Sequence, residues 1–406
     1  MPMRKKKVRL YDYQAYPVKD VLSWPLDEPL PYSVFNHQGE RLYIKGYRFK
    51  DAQEREALAK MNPIRFETGD RMQHPMPQSF DRQSNPFAEL DELGHRLDFL
   101  FRLIERKQVS DSEFVEKRFY EIATAIQGLC RLDTDALLGA VHLNENFPYY
   151  IHHPLQIAIL CEIIMHRLNF SQATRLSILG AALTSNMGMH HYQELLESQE
   201  SKLSVVQQKM VSQHPEVSAR LLENMGVRCP LWLTLVRQHH ERLDGSGYPH
   251  GLKGSQIRGE TSLLALADIY SAMIIPKAYR PVTDHKRSLQ STFLESGKSF
   301  DQRLAQVFFS ELGLYPPGIH VRLANGESGV VIKRTDDAKA PVVSVIKRVD
   351  GNYYSTPMRR DTRQPHYAIA YSYKSNERMT ANPMILWGIQ VIPLPLMAPI
   401  QLPDFF

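Results

Sequence analysis

Cysteine is scarce in this chain: Cys130, Cys161 and Cys229 are the only three in 406 residues. An odd number at wide spacing excludes a disulfide framework and suits a reduced compartment. Long apolar runs are scarce too. The most apolar late stretch, Met384 to Ile400, is interrupted by Gln390, Pro393, Pro395 and Pro399. It cannot form the unbroken helix of about 20 residues that crosses a bilayer. Arg4 to Lys7 is basic, but no apolar segment follows as a secretory leader requires. A soluble, cytoplasmic protein without membrane insertion is the expectation. Nor is one sign of charge in large excess: 49 Lys and Arg face 44 Asp and Glu, a net +5. That balance is compatible with an anionic small ligand and does not demand nucleic acid.

What is present is the material of a globular protein. Hydrophobic residues make up 43% and charged residues 23%, enough for a sizeable core, and the length suggests roughly two to four domains. Residues 1–66 read as a small α/β domain, with two short strands between Pro31 and Gly46 and a helix from Asp51 to Lys60. Residues 67–87 are rich in Pro, Gln and Ser and read as a linker. Residues 88–315 are helical: Leu97, Leu100, Phe101 and Ile104 recur at three- and four-residue spacing, as do Phe119, Ile122, Ala123 and Ile126. After Pro316-Pro-Gly318 the period changes to two. Residues 316–406 read as an antiparallel β module with Asn325-Gly326 and Asp350-Gly351 as hairpin turns. Val-Ile-Lys-Arg occurs there at 331–334 and 345–348, as on paired strands. The fold class is thus α+β multidomain, mainly a helical bundle.

The chemistry concentrates in residues 238–257. His239, His240 and Glu241 are followed by Asp244, Gly245, Ser246, Gly247, Tyr248 and Pro249. Neutral imidazoles are good ligands for divalent transition metals, and glycine lets a backbone approach a ligand closely.

This run resembles the HD-GYP family, whose motif is His-His-Glu-x-x-Asp-Gly-x-Gly-Tyr-Pro. The likeness extends over about 145–282. It aligns His153 with the family's early histidine, and His214, in Gln-His-Pro-Glu-Val-Ser-Ala, with the later one. Asp268, in Leu-Ala-Asp-Ile-Tyr-Ser, takes the place of the late aspartate. The resemblance implies an HD-type bundle that gathers metal ligands from several helices: His153, His214, His239, His240 and Asp268. It implies a divalent cofactor (iron, manganese or another) and cyclic di-GMP or a related cyclic dinucleotide as ligand. Lys277 and Arg280 stand where the family grips phosphate, Lys as a point charge and Arg bidentately.

The chain departs from the family at the centre of the site. The family's Leu-Leu-His-Asp-Ile-Gly-Lys is Leu183-Thr-Ser-Asn-Met-Gly-Met189 here. Ser185 replaces the histidine, Asn186 the bridging aspartate and Met189 the lysine. Tyr149 replaces an optional glutamate ligand. A two-metal hydrolysis holds its nucleophile between ions about 3.5–4 Å apart, and these changes remove the carboxylate common to both. His190 and His191 lie downstream and read as ordinary surface histidines, with a role as alternative donors requiring the segment to rearrange. His152 reads as a solvated neighbour of His153, since consecutive helix residues point in different directions. The expectation is a degenerate HD-GYP protein holding one ion or none. It would act by nucleotide or partner binding, a diguanylate cyclase being one such partner, with little or no hydrolysis. An active phosphodiesterase and a scaffold without nucleotide binding stay open.

Overall fold

The computed structural model describes residues 15–18, 21–26, 28, 30, 34–35, 41–43, 47–61, 63–66, 85–106, 112–143, 147–199, 201–274, 299–373 and 382–388. Lys277, Arg280, most of the 67–87 stretch and the Pro-rich end of the chain lie outside these residues. The chain divides into two compact units, Met1–Gln83 and Ser84–Phe406.

In the first unit four short strands form an antiparallel sheet in the order β1-β4-β2-β3. They are β1 (Ala15–Pro17), β2 (Val34–Phe35), β3 (Arg41–Tyr43) and β4 (Ile64–Phe66). Helix α1 (Ala52–Lys60) starts where the Asp51 carboxylate accepts from the Glu54 N–H at 2.8 Å, an N-terminal cap. Val21, Leu30, Val34, Phe49 and Leu58 make a small core.

The second unit is built on helices. Asn85 caps α2 (Pro86–Glu105), accepting from Phe87 and Ala88, with proline at the first helical position. Then follow α3 (Ser112–Leu132), α4 (Thr134–Leu143), α5 (Tyr149–Arg167), α6 (Gln172–Thr184), α7 (His190–Ser198), α8 (Val205–Asn224), α9 (Pro230–Gln238), α10 (Thr261–Ile274) and α11 (Gln302–Leu312). Helix α5 is buried almost all round, from Ile151 to Met165, as a helix apolar on every face must be. Close packing around it depends on small residues. A β-carbon on Gly180 of α6 would lie 2.7 Å from the Trp232 ring, and the Trp232 indole N–H donates to Thr184 Oγ1 at 2.8 Å.

The C-terminal strands form an antiparallel sheet in the order β8-β7-β6-β5-β9. These are β5 (His320–Leu323), β6 (Ser328–Lys333), β7 (Val342–Lys347), β8 (Tyr353–Asp361) and β9 (Ile369–Tyr373). Gly326 and Gly351 take φ of +86° and +88° in the two hairpin turns, where a β-carbon would be strained. The repeated Val-Ile-Lys-Arg segments lie on β6 and β7, which pair with Val331 opposite Val343. Strand β6 is central and buried on both faces. Val330 and Ile332 pack on Ala136 of α4 and on Leu386 and Trp387 of α12 (Pro383–Trp387), while Val331 joins Val321, Leu323, Val343 and Val345 on the other face. Among the described residues no helix is long and apolar enough to cross a membrane.

Candidate metal centre

Two local accidents of helix chemistry orient the central histidines. Pro215 has no N–H to bond the Val211 carbonyl four residues back. His214 fills that vacancy, with Nδ1 2.6 Å from Val211 O. Helix α9 ends at Gln238, so its last carbonyls lack helical donors, and His239 Nδ1 sits 2.7 Å from Val236 O. Each ring therefore carries its proton on Nδ1 and presents a bare Nε2. These two Nε2 atoms face each other at 3.1 Å.

Burial keeps both rings neutral. It pushes His214 down to about 3, with His239 adding to the effect. It lowers His239 as well, against the pull of Asp268. Neither ring brings a second proton to bridge the gap, so two lone pairs repel unless a cation lies near both. Two nitrogens that share one ion at about 2.1 Å lie about 3 Å apart when they subtend a right angle. His240 completes the group: the ligand atoms of His214, His239 and His240 all lie within 4.8 Å of one another. His240 is held well below its ordinary value, by burial first and then by His239. This donor set fits one divalent ion, and the carbonyl bonds at Nδ1 are the orientation that metal-bound histidines ordinarily receive.

The other two residues of the expected set pair with each other. His153 Nε2 lies 2.9 Å from Asp268 Oδ1, and Asp268 Oδ2 is 3.9 Å from His240 Nδ1. Burial alone would raise the Asp268 carboxyl. The hydrogen bond from His153 and the fields of His240, His153 and His239 outweigh it and hold the carboxyl well below the usual range. Tyr149 lays its ring on His153, centroids 4.7 Å apart and planes at 21°. Where a glutamate ligand was expected to be missing, an aromatic ring fills the space.

Residues 185–189 belong to the backbone of the bundle. Ser185 is buried, its N–H bonds Ala181 O at 2.8 Å and its carbonyl accepts from Ser218 Oγ at 2.7 Å. Ser218 Oγ in turn accepts from the Gly188 N–H at 2.8 Å. The Asn186 amide meets Ser185 Oγ at 3.4 Å, and Met189 precedes α7. His190 does not enter the site: its Nδ1 lies 2.5 Å from Glu105 Oε1, with Phe101 and Tyr150 against its ring. The His191 side chain lies outside the described ones. His152 is not the solvated neighbour expected. It is half-buried, its Nε2 is 2.8 Å from Gln156 Nε2, and burial pushes it down to about 4.

The Gly-Tyr-Pro turn is built differently from the sequence reading. Gly245 takes φ +82°, but Gly247 is required by contact. A β-carbon there would lie 2.4 Å from Arg242 N and 2.5 Å from His240 O. Glu241 is buried and accepts from the backbone N–H groups of His250 (2.7 Å) and Leu252 (2.9 Å), folding the turn back on itself. Asp244 is a surface residue. It accepts from Ser246 N, Ser246 Oγ and Ser299 Oγ, and these bonds lower it to about 2. Tyr248 tilts over His240 at 4.6 Å, next to Pro249. The polar residues that sequence reasoning missed are Gln156, Ser218 and Ser271. Each lies three or four positions after a named histidine or aspartate, on the same helix face one turn along. That spacing was the available signal.

Buried neutral histidines also set an acid limit on the fold. His142 donates from Nδ1 to Leu138 O at 2.8 Å and meets Tyr270 OH at 2.7 Å, and burial lowers it from 6.5 to about 4. Below pH 6.5 the unfolded chain takes up protons that the folded chain refuses, so stability falls as pH falls. Metal-free protein is expected to lose urea resistance progressively from pH 6.5 to about 4. A midpoint that stays level across that window contradicts this.

A family model describing the HD domain matches residues 140–304. The chain is 27% identical over 200 residues to the cyclic di-GMP phosphodiesterase PA4108 of Pseudomonas aeruginosa, covering 49% of this chain and 48% of that protein. It is 29% identical over 136 residues to 3'3'-cGAMP-specific phosphodiesterase 3 of Vibrio cholerae, covering 33% and 29%. The chain thus spans about half the length, or less, of these curated relatives. Among solved structures it is similar to Bd1817, an HDG"Y"P protein from Bdellovibrio bacteriovorus, with a TM-score of 0.50 at 14% identity over 74% of this chain and 99% of that one; at this identity the likeness is one of fold. With the bundle, the histidine cluster and the Gly-Tyr-Pro turn in place, residues 140–304 match the HD domain and support the resemblance to HD-GYP proteins.

Proposed function

We propose that this protein binds a cyclic dinucleotide beside a single divalent ion held by His214, His239 and His240, and hydrolyses it little or not at all. The observation that carries the reading is the pair of bare Nε2 atoms 3.1 Å apart. The ligand class comes from the relatives, named for cyclic di-GMP and 3'3'-cGAMP. When bound, an ion here supplies a Lewis-acidic contact for a phosphate oxygen. Tyr248 adds a ring face beside His240, of the kind on which nucleobases stack. Lys277 and Arg280 remain the proposed phosphate contacts. Against turnover stands the 185–189 segment. Serine and asparagine bring neither an imidazole nor a charged bridging carboxylate to a second ion.

One observation favours a second reading, an active phosphodiesterase with a remodelled site. Asp268 still places a carboxylate 3.9 Å from His240, with His153 beside it. The two readings part on incubation with Mn²⁺ or Fe²⁺ and either cyclic dinucleotide. The expected result is saturable binding by calorimetry and no linear or mononucleotide product by chromatography. Product that disappears in His239→Ala would overturn the non-hydrolytic reading. Absence of any nucleotide binding would overturn the ligand and leave a protein-partner role, read by pull-down with a diguanylate cyclase.

A further inference from the structure

The buried polar groups behind His153 form a chain with one consistent assignment of protons. Gln156 Nε2 lies 2.5 Å from Val141 O and 2.8 Å from His152 Nε2. Both neighbours accept, so both amide hydrogens are used there. The reverse amide orientation would set an oxygen against the Val141 carbonyl. Gln156 Oε1 is therefore an acceptor, and it lies 2.5 Å from Ser271 Oγ. Ser271 has one proton to give and gives it to Gln156. Its oxygen is then left to accept, and His153 Nδ1 lies 2.9 Å away. The ring must carry a proton on Nδ1, and its Nε2 is aimed at Asp268 Oδ1.

We propose that Gln156 and Ser271 are positioning residues, a buried relay from the Val141 carbonyl that fixes the Nδ1–H of His153 and points Nε2 into the site. The relay joins three helices: α4 through Val141, α5 through Gln156 and His153, and α10 through Ser271 and Asp268. Gln156, Ser271 and His153 are each at most 2% exposed, so water does not compete for their bonds. The purpose of the relay rests on the metal-and-dinucleotide reading above, because His153 held in this way donates to Asp268 and keeps that carboxylate 3.9 Å from His240, one of the proposed ligands. The proton assignment itself does not depend on any ion.

That separation sets the experiment. Long-range ¹⁵N–¹H spectra of histidine rings, recorded on metal-free full-length protein, report whether His153 Nδ1 carries a proton. Wild type should show a slowly exchanging Nδ1–H. Ser271→Ala removes the acceptor and should abolish that protected proton. Gln156→Met makes a sharper case: it frees the Ser271 proton to point at His153, so Nδ1 should become the acceptor and give up its proton. On folded variants Mn²⁺ affinity should fall about 10- to 100-fold, the usual cost of losing an outer contact of a metal site. A residue with only a packing role would lower thermal stability and leave the ring spectrum unchanged. An Nδ1–H that persists unchanged in either folded variant overturns the relay. A wild type that shows the expected spectrum but binds no Mn²⁺ sinks the metal reading and leaves the relay standing.

Discussion

Replacing Glu162 by alanine should cost this protein about 3–5 kcal/mol of folding stability. Glu162 lies on α5, fully buried, with its carboxylate 2.6 Å from Arg175 Nη1 and 3.3 Å from the Gln127 amide. Burial raises the carboxyl above its usual value, and Arg175 offsets part of that rise. The pair is worth little in itself, because bringing two charges out of water offsets most of their attraction. Its disruption is expensive because Arg175, with a side chain only 11% exposed, is left charged and unpaired. The same reasoning predicts that Glu162→Met with Arg175→Met recovers most of the loss. Urea unfolding of the two single variants and the double variant checks both statements. A single variant that costs under about 1 kcal/mol would show that water reaches the pair.

The second large effect concerns the metal. His239→Ala should reduce Mn²⁺ affinity by at least about 100-fold, more than the 10- to 100-fold cost of losing an outer contact. It removes one of three nitrogens and leaves no facing lone pair for His214. Thermal unfolding gives a direct reading. An ion present at about 100 times its dissociation constant stabilises the native state by about 2.7 kcal/mol, so wild type should gain that much and the variant almost none. The metal-free variant should lose less stability than burial alone implies, since the close approach of two Nε2 atoms at 3.1 Å disappears with the ring. Elemental analysis should find at most one ion per chain. Two tightly held ions would contradict the reading of Ser185 and Asn186.

Much of this was legible in the sequence, for reasons that differ by residue. The helices of the second unit announce themselves because Leu97, Leu100 and Phe101 need one buried face. The hairpins at Gly326 and Gly351 do so because positive φ is a property of the residue itself. His214 and His239 were visible as donors. Their ring orientation was not, although Pro215 prefigured it by leaving the Val211 carbonyl without a helical donor. Strands β1 and β4 escaped because a three-residue strand is defined by a distant partner: Phe66 sits opposite Ala15. The Gln156–Ser271 relay escaped for the same reason. It joins residues 115 positions apart, and neither residue has a composition that marks it as more than a polar residue on an apolar helix. His190 was expected to be an ordinary surface histidine, and nothing local reveals its partner Glu105, 85 positions away.

Gly247 bears on how such chains are sorted. Its hydrogen occupies a space bounded by the backbone of His240, Glu241 and Arg242, so every residue larger than glycine is refused whether or not anything is bound nearby. The side chains at 185 and 186 can then vary while the letters of the turn stay as they are. A search keyed to that turn follows the path of a main chain. It says nothing of the side chains that follow α6.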